Sequence, residues 1–381
     1  MPKPRILFLV NESWYFWAHR LHIARAARDA GYQVIVAAAP HEVQQQIEAE
    51  GFWFYPLRLP RKVSHPWQEL VALLDIISIY RLARPDLVHQ VTIKPVLYGS
   101  LAAKITGIPA IVNAVTGLGF VFLPGGWRRR LFRTVIEWSY RLLLTGKRIK
   151  VIFENPDDRD LFIQRRMIAA SQAFVLPGSG VDAHTFTPSA EPEGDPVVLL
   201  ASRLLWDKGV GELVDAARIL KQRGVTARVV LAGTPDTSNP ATIPESQLIA
   251  WTEEGVVEWI GYQANMPAVL AQCHIVCLPS SYREGIPMSL IEAASCSRPI
   301  VTTDAPGCRE IVRDQWNGLL VPVKDAQAVA NALETLIQNP SLRRQMGERG
   351  RQLVLERFTK EHVIEQTFAI YRSLVGEGWP A

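Results

Sequence analysis

Two carboxylates eight residues apart, in Ser281-Tyr-Arg-Glu284-Gly-Ile-Pro-Met-Ser-Leu-Ile-Glu292, carry the most specific chemistry in this sequence. Pro287 suits the first turn of a helix, where its missing N–H is no loss. Met288, Leu290, Ile291 and Ala294 continue at helical spacing. Glu284 then falls in the loop ahead of the helix and Glu292 falls inside it. The free N–H groups of Ile286, Met288 and Ser289 point out of the helix start, where the macrodipole is positive. Gly285 lets a ligand come close to the backbone. Such a seat takes phosphate. Carboxylates repel phosphate, so the two glutamates should hold another part of the same ligand. Sugar hydroxyls donate hydrogen bonds, and a carboxylate accepts two at once. The ligand reads as a sugar nucleotide.

A second constellation, Ser202-Arg203-Leu-Leu-Trp-Asp-Lys208-Gly209, follows the apolar run Val197–Ala201 directly. It places two cations at the carboxyl end of a strand, ahead of a helix. Alone, Arg203 and Lys208 read as a surface pair on a loop; beside Glu284 and Glu292 they read as functional. Asp157-Asp158-Arg159-Asp160 contains an Asp-x-Asp of the kind that binds metal elsewhere. Here it opens a helix, where acids favour the macrodipole, and capping is the better reading. Cys273, His274 and Cys277 invite a zinc reading, but no second Cys/His pair stands at zinc spacing. No metal site and no cofactor are expected.

The elements that must position these groups alternate strand and helix. Ile6–Val10, Gln33–Ala39, Leu87–His89, Ala110–Val115 and Ile149–Glu154 read as strands, with helices at Trp17–Ala30 and Val96–Thr106. The second half repeats the pattern, ending in strand Ile275–Pro279, helix Pro287–Cys296 and strand Ile300–Thr303. Such alternation predicts an α/β fold of two doubly wound parallel sheets. Leu176–Pro188 is rich in turn formers and divides domain 1–184 from domain 185–359. Ligands of such sheets bind beyond the carboxyl ends of the strands, so two facing lobes make a cleft. Three first-lobe segments lie at such ends: Asn11–Arg20 with His19 and Arg20, His89–Pro95 with Lys94, and Thr116–Pro124. Asn155 ends another strand. Their clustering predicts an acceptor surface of His19, Arg20, Lys94, Thr116 and Asn155, although His19 and His89 also suit packing roles.

At 381 residues, 48% apolar and 20% charged, the composition is that of an ordinary two-domain globular chain. No apolar run reaches the 18 or so residues of a membrane span. The N-terminal apolar stretch is too short for a signal peptide, and four cysteines suit a reducing compartment, so a cytosolic location is expected. The net charge of +4 is uneven. Trp127 to Lys150 holds eight basic residues and one acid, with aromatic and aliphatic residues between them. A basic, aromatic helix reads as an anionic membrane or ligand face, the plainer alternative being a core helix with a solvated basic side. Nucleic acid is disfavoured, since no binding motif accompanies the charge.

The Glu-(seven residues)-Glu element is flanked by Leu278-Pro279-Ser280, by Cys296–Asp304 and by Asn317-Gly318-Leu319-Leu320-Val321. Together these resemble the nucleotide-sugar glycosyltransferases of the two-lobed type B fold, in retaining family four. The resemblance covers nearly the whole chain. It implies that Glu284 contacts the donor sugar, that Glu292 binds the nucleotide ribose, and that Arg203 and Lys208 hold the donor diphosphate without a metal. It also implies that a last helix, about 360–381, crosses back to the first lobe. Thr116-Gly-Leu-Gly-Phe-Val-Phe, His19-Arg20-Leu and Ile93-Lys94-Pro95 look most like bacterial transferases that build lipid-linked oligosaccharide, O-antigen or capsule. That subgroup implies a UDP-linked hexose or N-acetylhexosamine donor, a polyprenyl-diphosphate-linked saccharide acceptor, and work at the inner membrane face. Thr116 stands where many relatives carry a His before Gly. A UDP-sugar 2-epimerase of the same fold and a non-catalytic sugar-nucleotide-binding protein are the competing readings; the donor-site residues argue against both.

Overall fold

The computed structural model describes residues 3–59, 65–118 and 126–376. The chain divides into two units, Met1–Ser179 with Glu361–Ala381, and Gly180–Lys360.

In the first unit the elements run β1 (Arg5–Glu12), α1 (Ser13–His19), α2 (Leu21–Asp29), β2 (Gln33–Ala39), α3 (Gln44–Ala49), β3 (Trp53–Pro56), α4 (Pro66–Ala83), β4 (Leu87–Val91), α5 (Ile93–Thr106), β5 (Ala110–Val115), α6 (Trp127–Leu143), β6 (Ile149–Phe153), α7 (Pro156–Gln164) and β7 (Ala173–Val175). The second holds β8 (Val197–Ala201), α8 (Val210–Gln222), β9 (Arg228–Ala232), α9 (Glu245–Glu253), β10 (Glu258–Trp259), α10 (Met266–Ala271), β11 (Ile275–Leu278), α11 (Met288–Ser295), β12 (Ile300–Thr303), β13 (Gly318–Val321), α12 (Ala326–Ile337) and α13 (Pro340–Arg357). Helix α14 (Lys360–Val375) closes the described chain.

Both sheets are parallel, in the orders β3-β2-β1-β4-β5-β6-β7 and β10-β9-β8-β11-β12-β13. Central strands such as β4, β5, β8 and β11 are buried along their whole length. They must face helices on both sides, which is why they read as continuous apolar runs rather than as alternation. Strand order reverses between β1 and β4 in one sheet and between β8 and β11 in the other. The loops that leave those strands diverge there and open a crevice. Arg203 and Lys208 follow β8, and Glu284 follows β11; His19 follows β1, and Lys94 follows β4.

The hinge falls five residues ahead of the expected 184/185 boundary. Val181 donates to the Phe358 carbonyl at 2.8 Å and accepts from Lys360 N at 3.0 Å, tying the start of the second unit to its end. Helix α14 belongs to the core of the first unit: Val363, Phe368 and Tyr371 pack among β1 and β2, and the Tyr371 hydroxyl lies 2.6 Å from His89 Nδ1. His89 is thus a buried structural group.

The expected helix Trp17–Ala30 is two helices, broken at Arg20 (φ −130°, ψ −8°), whose side chain turns inward. Pro287 is the N-cap of α11 and not its first residue, with an extended backbone (φ −62°, ψ 118°).

Candidate active site

The second unit gathers the charged donor-site candidates at its switch point. Lys208 closes a short 3-10 turn, Trp206–Lys208, and Gly209 follows with φ 77°. A Cβ on Gly209 would come 2.1 Å from the Pro279 carbonyl, so only glycine lets this loop lie against the end of β11. That approach brings Lys208 Nζ to 2.5 Å from Glu284 Oε1, an ion pair whose side chains are both nearly buried. Ser280 Oγ donates to the same carboxylate oxygen at 2.9 Å. Arg203 is more open and pairs with Asp236 at 2.8 Å.

Arg203, Ser289 and Glu292 line one pocket of about 330 Å³ beyond the carboxyl ends of β8 and β9. Its other walls include Gly233, Thr234, Tyr262, Gln263 and Met266. Burial pushes the Glu292 carboxyl up to about 7. Gly285 and Ile286 are buried in the turn that carries Glu284 into α11, and Met288 opens the helix. Gly307, in the loop after β12, packs on this turn: a Cβ there would meet the Gly285 carbonyl oxygen at 1.8 Å and Glu284 Cβ at 2.8 Å.

In the first unit Lys94 sits in the first turn of α5 and pairs with Glu69 of α4 at 2.8 Å. Thr116 follows β5, and the Tyr15 ring lies 4.5 Å from the His19 ring. Burial, reinforced by the Arg20 charge, pushes the His19 imidazole down to about 4, so it is neutral at physiological pH. Two of the expected acceptor residues are buried and hydrogen-bonded within the first unit. Arg20 is buried: its Nη1 donates to Ser179 Oγ at 2.8 Å and to the His19 carbonyl at 2.9 Å, and Glu154 lies 3.6 Å away. It braces the β1 loop from within. Asn155 is fully buried and caps α7, accepting from Asp158 N at 2.8 Å and donating to Asp158 Oδ2 at 3.1 Å. Residues 119–124 of the expected Thr116–Pro124 segment lie outside the described residues.

Two family models match the chain in tandem: "Glycosyl transferase 4-like" over residues 5–153 and "Glycosyl transferases group 1" over 183–353. The chain belongs to the glycosyltransferases. Among curated relatives, the transferase is 26% identical to the N,N'-diacetylbacillosaminyl-diphospho-undecaprenol alpha-1,3-N-acetylgalactosaminyltransferase of Campylobacter jejuni, over 96% of this chain and 97% of that one. It is 22% identical to the Escherichia coli UDP-Gal:alpha-D-GlcNAc-diphosphoundecaprenol alpha-1,3-galactosyltransferase, over 68% and 69% of the two chains. In fold it matches a Rickettsia africae glycosyltransferase with a TM-score of 0.80 at 17% identity, covering 99% and 100% of the two chains. It also matches the Anabaena HepE protein, solved with UDP and glucose, with a TM-score of 0.78 at 21% identity over 97% and 99%. Its two parallel-sheet units are those of the type B glycosyltransferase fold.

The acidic run of the transferase is a helix start: Asp157 and Asp158 occupy the first turn of α7, and Asp160 pairs with Arg159. His274 is a staple, accepting from Val197 N at 3.0 Å, and Cys273 donates to the Leu270 carbonyl. Among the described residues no group of three or more His, Cys, Asp or Glu side chains is arranged to hold a metal. Sequence reasoning missed Tyr262, Gln263, Asp236, Tyr15 and Gly307. A glycine in a Ser/Thr/Pro-rich stretch was the one signal available for Gly307; the others carry no local pattern.

Proposed function

We propose that this glycosyltransferase is a retaining, metal-independent enzyme. It moves a hexose or N-acetylhexosamine from a UDP-linked sugar to a saccharide on polyprenyl diphosphate, in the synthesis of a bacterial surface glycan. The observation that carries the donor half is the joining of Lys208 to Glu284 beside a pocket walled by Arg203 and Glu292. The names of the Campylobacter and Escherichia relatives support the acceptor class. Such an acceptor is embedded in a bilayer, so the enzyme would work at the membrane surface.

Breaking the bond from the sugar C1 to the diphosphate oxygen builds negative charge on the leaving group. Arg203 and Lys208 stabilise that charge where it develops, as fixed electrostatic groups do. Glu284, held by Lys208 and Ser280, orients the sugar hydroxyls. The acceptor hydroxyl then bonds C1 on the face that the phosphate leaves, and the departing phosphate takes its proton. Lys94 and Thr116 are the acceptor-side candidates. His19, held neutral, is suited to hydrogen bonding.

Labelled UDP-sugars incubated with and without a polyprenyl-diphosphate saccharide test this reading. Acceptor-dependent transfer is expected, equally in EDTA. Loss of activity in EDTA with recovery on manganese would return the acidic run of α7 to consideration, and epimerised donor without transfer would contradict the assignment.

Glu292 sets a pH dependence. Its carboxyl, raised to about 7, is ionised at pH 8 and mostly protonated at pH 6, where it has fewer acceptor sites for the ribose hydroxyls. The donor KM should therefore rise from pH 8 to pH 6, by at most about tenfold, and Glu292→Gln should flatten the profile. The same shift works against folding at higher pH. The native state holds the proton between pH 4.5 and about 7 while the unfolded chain does not, so stability falls as pH rises through that window. Steady-state kinetics with UDP-sugar at fixed acceptor check the first point, and thermal melts of wild type and variant check the second.

A further inference from the structure

Helix α6 has two apolar faces. Tyr140 and Leu143 are buried against the core, with Ile136 packed beside them. Leu131, Val135, Trp138 and Leu142 point the opposite way and are 59%, 55%, 65% and 72% exposed. At 3.6 residues per turn these four fall in one narrow outward stripe. A water-facing helix normally carries polar residues there. Helix α4 repeats the anomaly with Trp67, Leu70 and Leu74, spaced three and four residues apart and also exposed. Helix α5 packs between α4 and α6, so the two stripes lie on one helical layer of the first unit. Its own exposed groups, Lys104 and Ile105, lie beside the end of α6, where Lys104 Nζ donates to the Leu142 carbonyl at 2.6 Å.

The charge on this layer is one-sided. Helices α4, α5 and α6 hold eight basic residues and three acids. All three acids are engaged: Glu69 with Lys94, Asp75 with Arg58, and Glu137 with Arg165. Arg130, Lys147 and Arg148 are exposed at the two ends of the α6 stripe. The side chains of Trp127, Arg128 and Arg129 lie outside the described residues. No described helix is long and apolar enough to cross a membrane. Amphipathic surfaces with this make-up lie in the headgroup region of anionic bilayers, with their apolar stripe sunk toward the acyl chains.

We infer that the outer face of α4–α5–α6 is a bilayer-docking surface for anionic lipid, anchored by the α6 stripe and by Trp67, Leu70 and Leu74 of α4. The inference deepens the membrane-surface reading above, and α4 supplies its second arm. Because each helix follows a parallel strand, all three begin at the carboxyl end of the sheet, where the Glu69–Lys94 pair joins the starts of α4 and α5. A lipid-linked diphosphate leaving the bilayer at that edge would meet Lys94.

Flotation of the full chain with vesicles of phosphatidylcholine and phosphatidylglycerol, at low and high salt and without any acceptor, tests the surface independently of the reaction. Trp138→Ser with Leu142→Ser, and separately Trp67→Ser with Leu70→Ser, should each weaken binding at least about tenfold, in high salt as well as low. Arg130→Ser with Lys147→Ser and Arg148→Ser should weaken it mainly at low salt, since screening already removes that contribution at high salt. Turnover of a short water-soluble acceptor should match wild type in every variant. Wild-type binding by both apolar variants would overturn the inference. So would a wild-type dimer that those variants dissociate, because the stripes would then be a subunit interface. Failure of transfer with intact vesicle binding would count against the proposed reaction and not against the surface.

Discussion

Replacing Lys208 with Ala is expected to lower kcat by about 10²–10³, the usual effect of removing one fixed group that stabilises transition-state charge. Arg203→Ala should do the same. The two variants differ in what else they lose. Arg203 and Asp236 form a pair whose arginine is about half exposed, and such pairs contribute little to stability, so Arg203→Ala should melt close to wild type. Lys208 and Glu284 are both nearly buried, and Lys208→Ala takes the cation from beside a recessed carboxylate. Breaking such a pair costs up to about 3–5 kcal/mol. Coupling is the sharper test: because Lys208 and Glu284 touch, Lys208→Ala combined with Glu284→Gln should cost less than the sum of the single changes. Steady-state kinetics and denaturant melts on wild type and the four variants read this out. Near-normal kcat in both single cation variants would remove these residues from the diphosphate.

Gly307→Ala is expected to lower kcat at least about 10²-fold, from a position that has no side chain. Its φ of +88° already disfavours a side chain, and a Cβ would stand 1.8 Å from the Gly285 carbonyl and 2.8 Å from Glu284 Cβ. The loop after β12 and the turn carrying Glu284 cannot both keep their places. A displacement of about 1 Å in a positioning group is enough for a loss of this size. The Glu284 carboxylate moves, while neither Gly307 nor Glu284 lines the pocket of Arg203, Tyr262 and Glu292. UDP affinity by calorimetry should therefore stay within a few-fold as kcat falls. Wild-type turnover, or an equal loss of UDP affinity, would contradict this role.

What could be read from the sequence was what local pattern encodes. The apolar runs of β1, β2, β5, β8, β9 and β12 were legible because strands covered on both faces need no polar alternation. Short edge strands were not legible: β3, Trp53–Pro56, is half exposed and ends in proline, and β7 has three residues. Helix α4 gave no amphipathic signal because its outer face is as apolar as its inner one, which is the feature that matters for docking. Arg20 looked like an acceptor ligand because sequence cannot show that its guanidinium turns in toward Ser179, 159 residues away. Asn155 looked like a strand end open to the cleft, yet it is the N-cap of α7 ahead of Pro156. In the candidate site, Glu284, Glu292, Arg203 and Lys208 came from spacing and resemblance. Their arrangement did not, because Asp236, Tyr262 and Gly307 reach them only through the fold.

The stereochemistry of the first product tests the account most directly. Proton NMR of the reaction between an α-linked UDP-sugar and a polyprenyl-diphosphate saccharide reports the anomeric coupling of the new bond before any equilibration. A departing diphosphate held by Arg203 and Lys208, with the acceptor entering on the same face, predicts an α-linked product. A β-linked product would contradict it, since inversion requires attack from the opposite face and a base that this account does not supply.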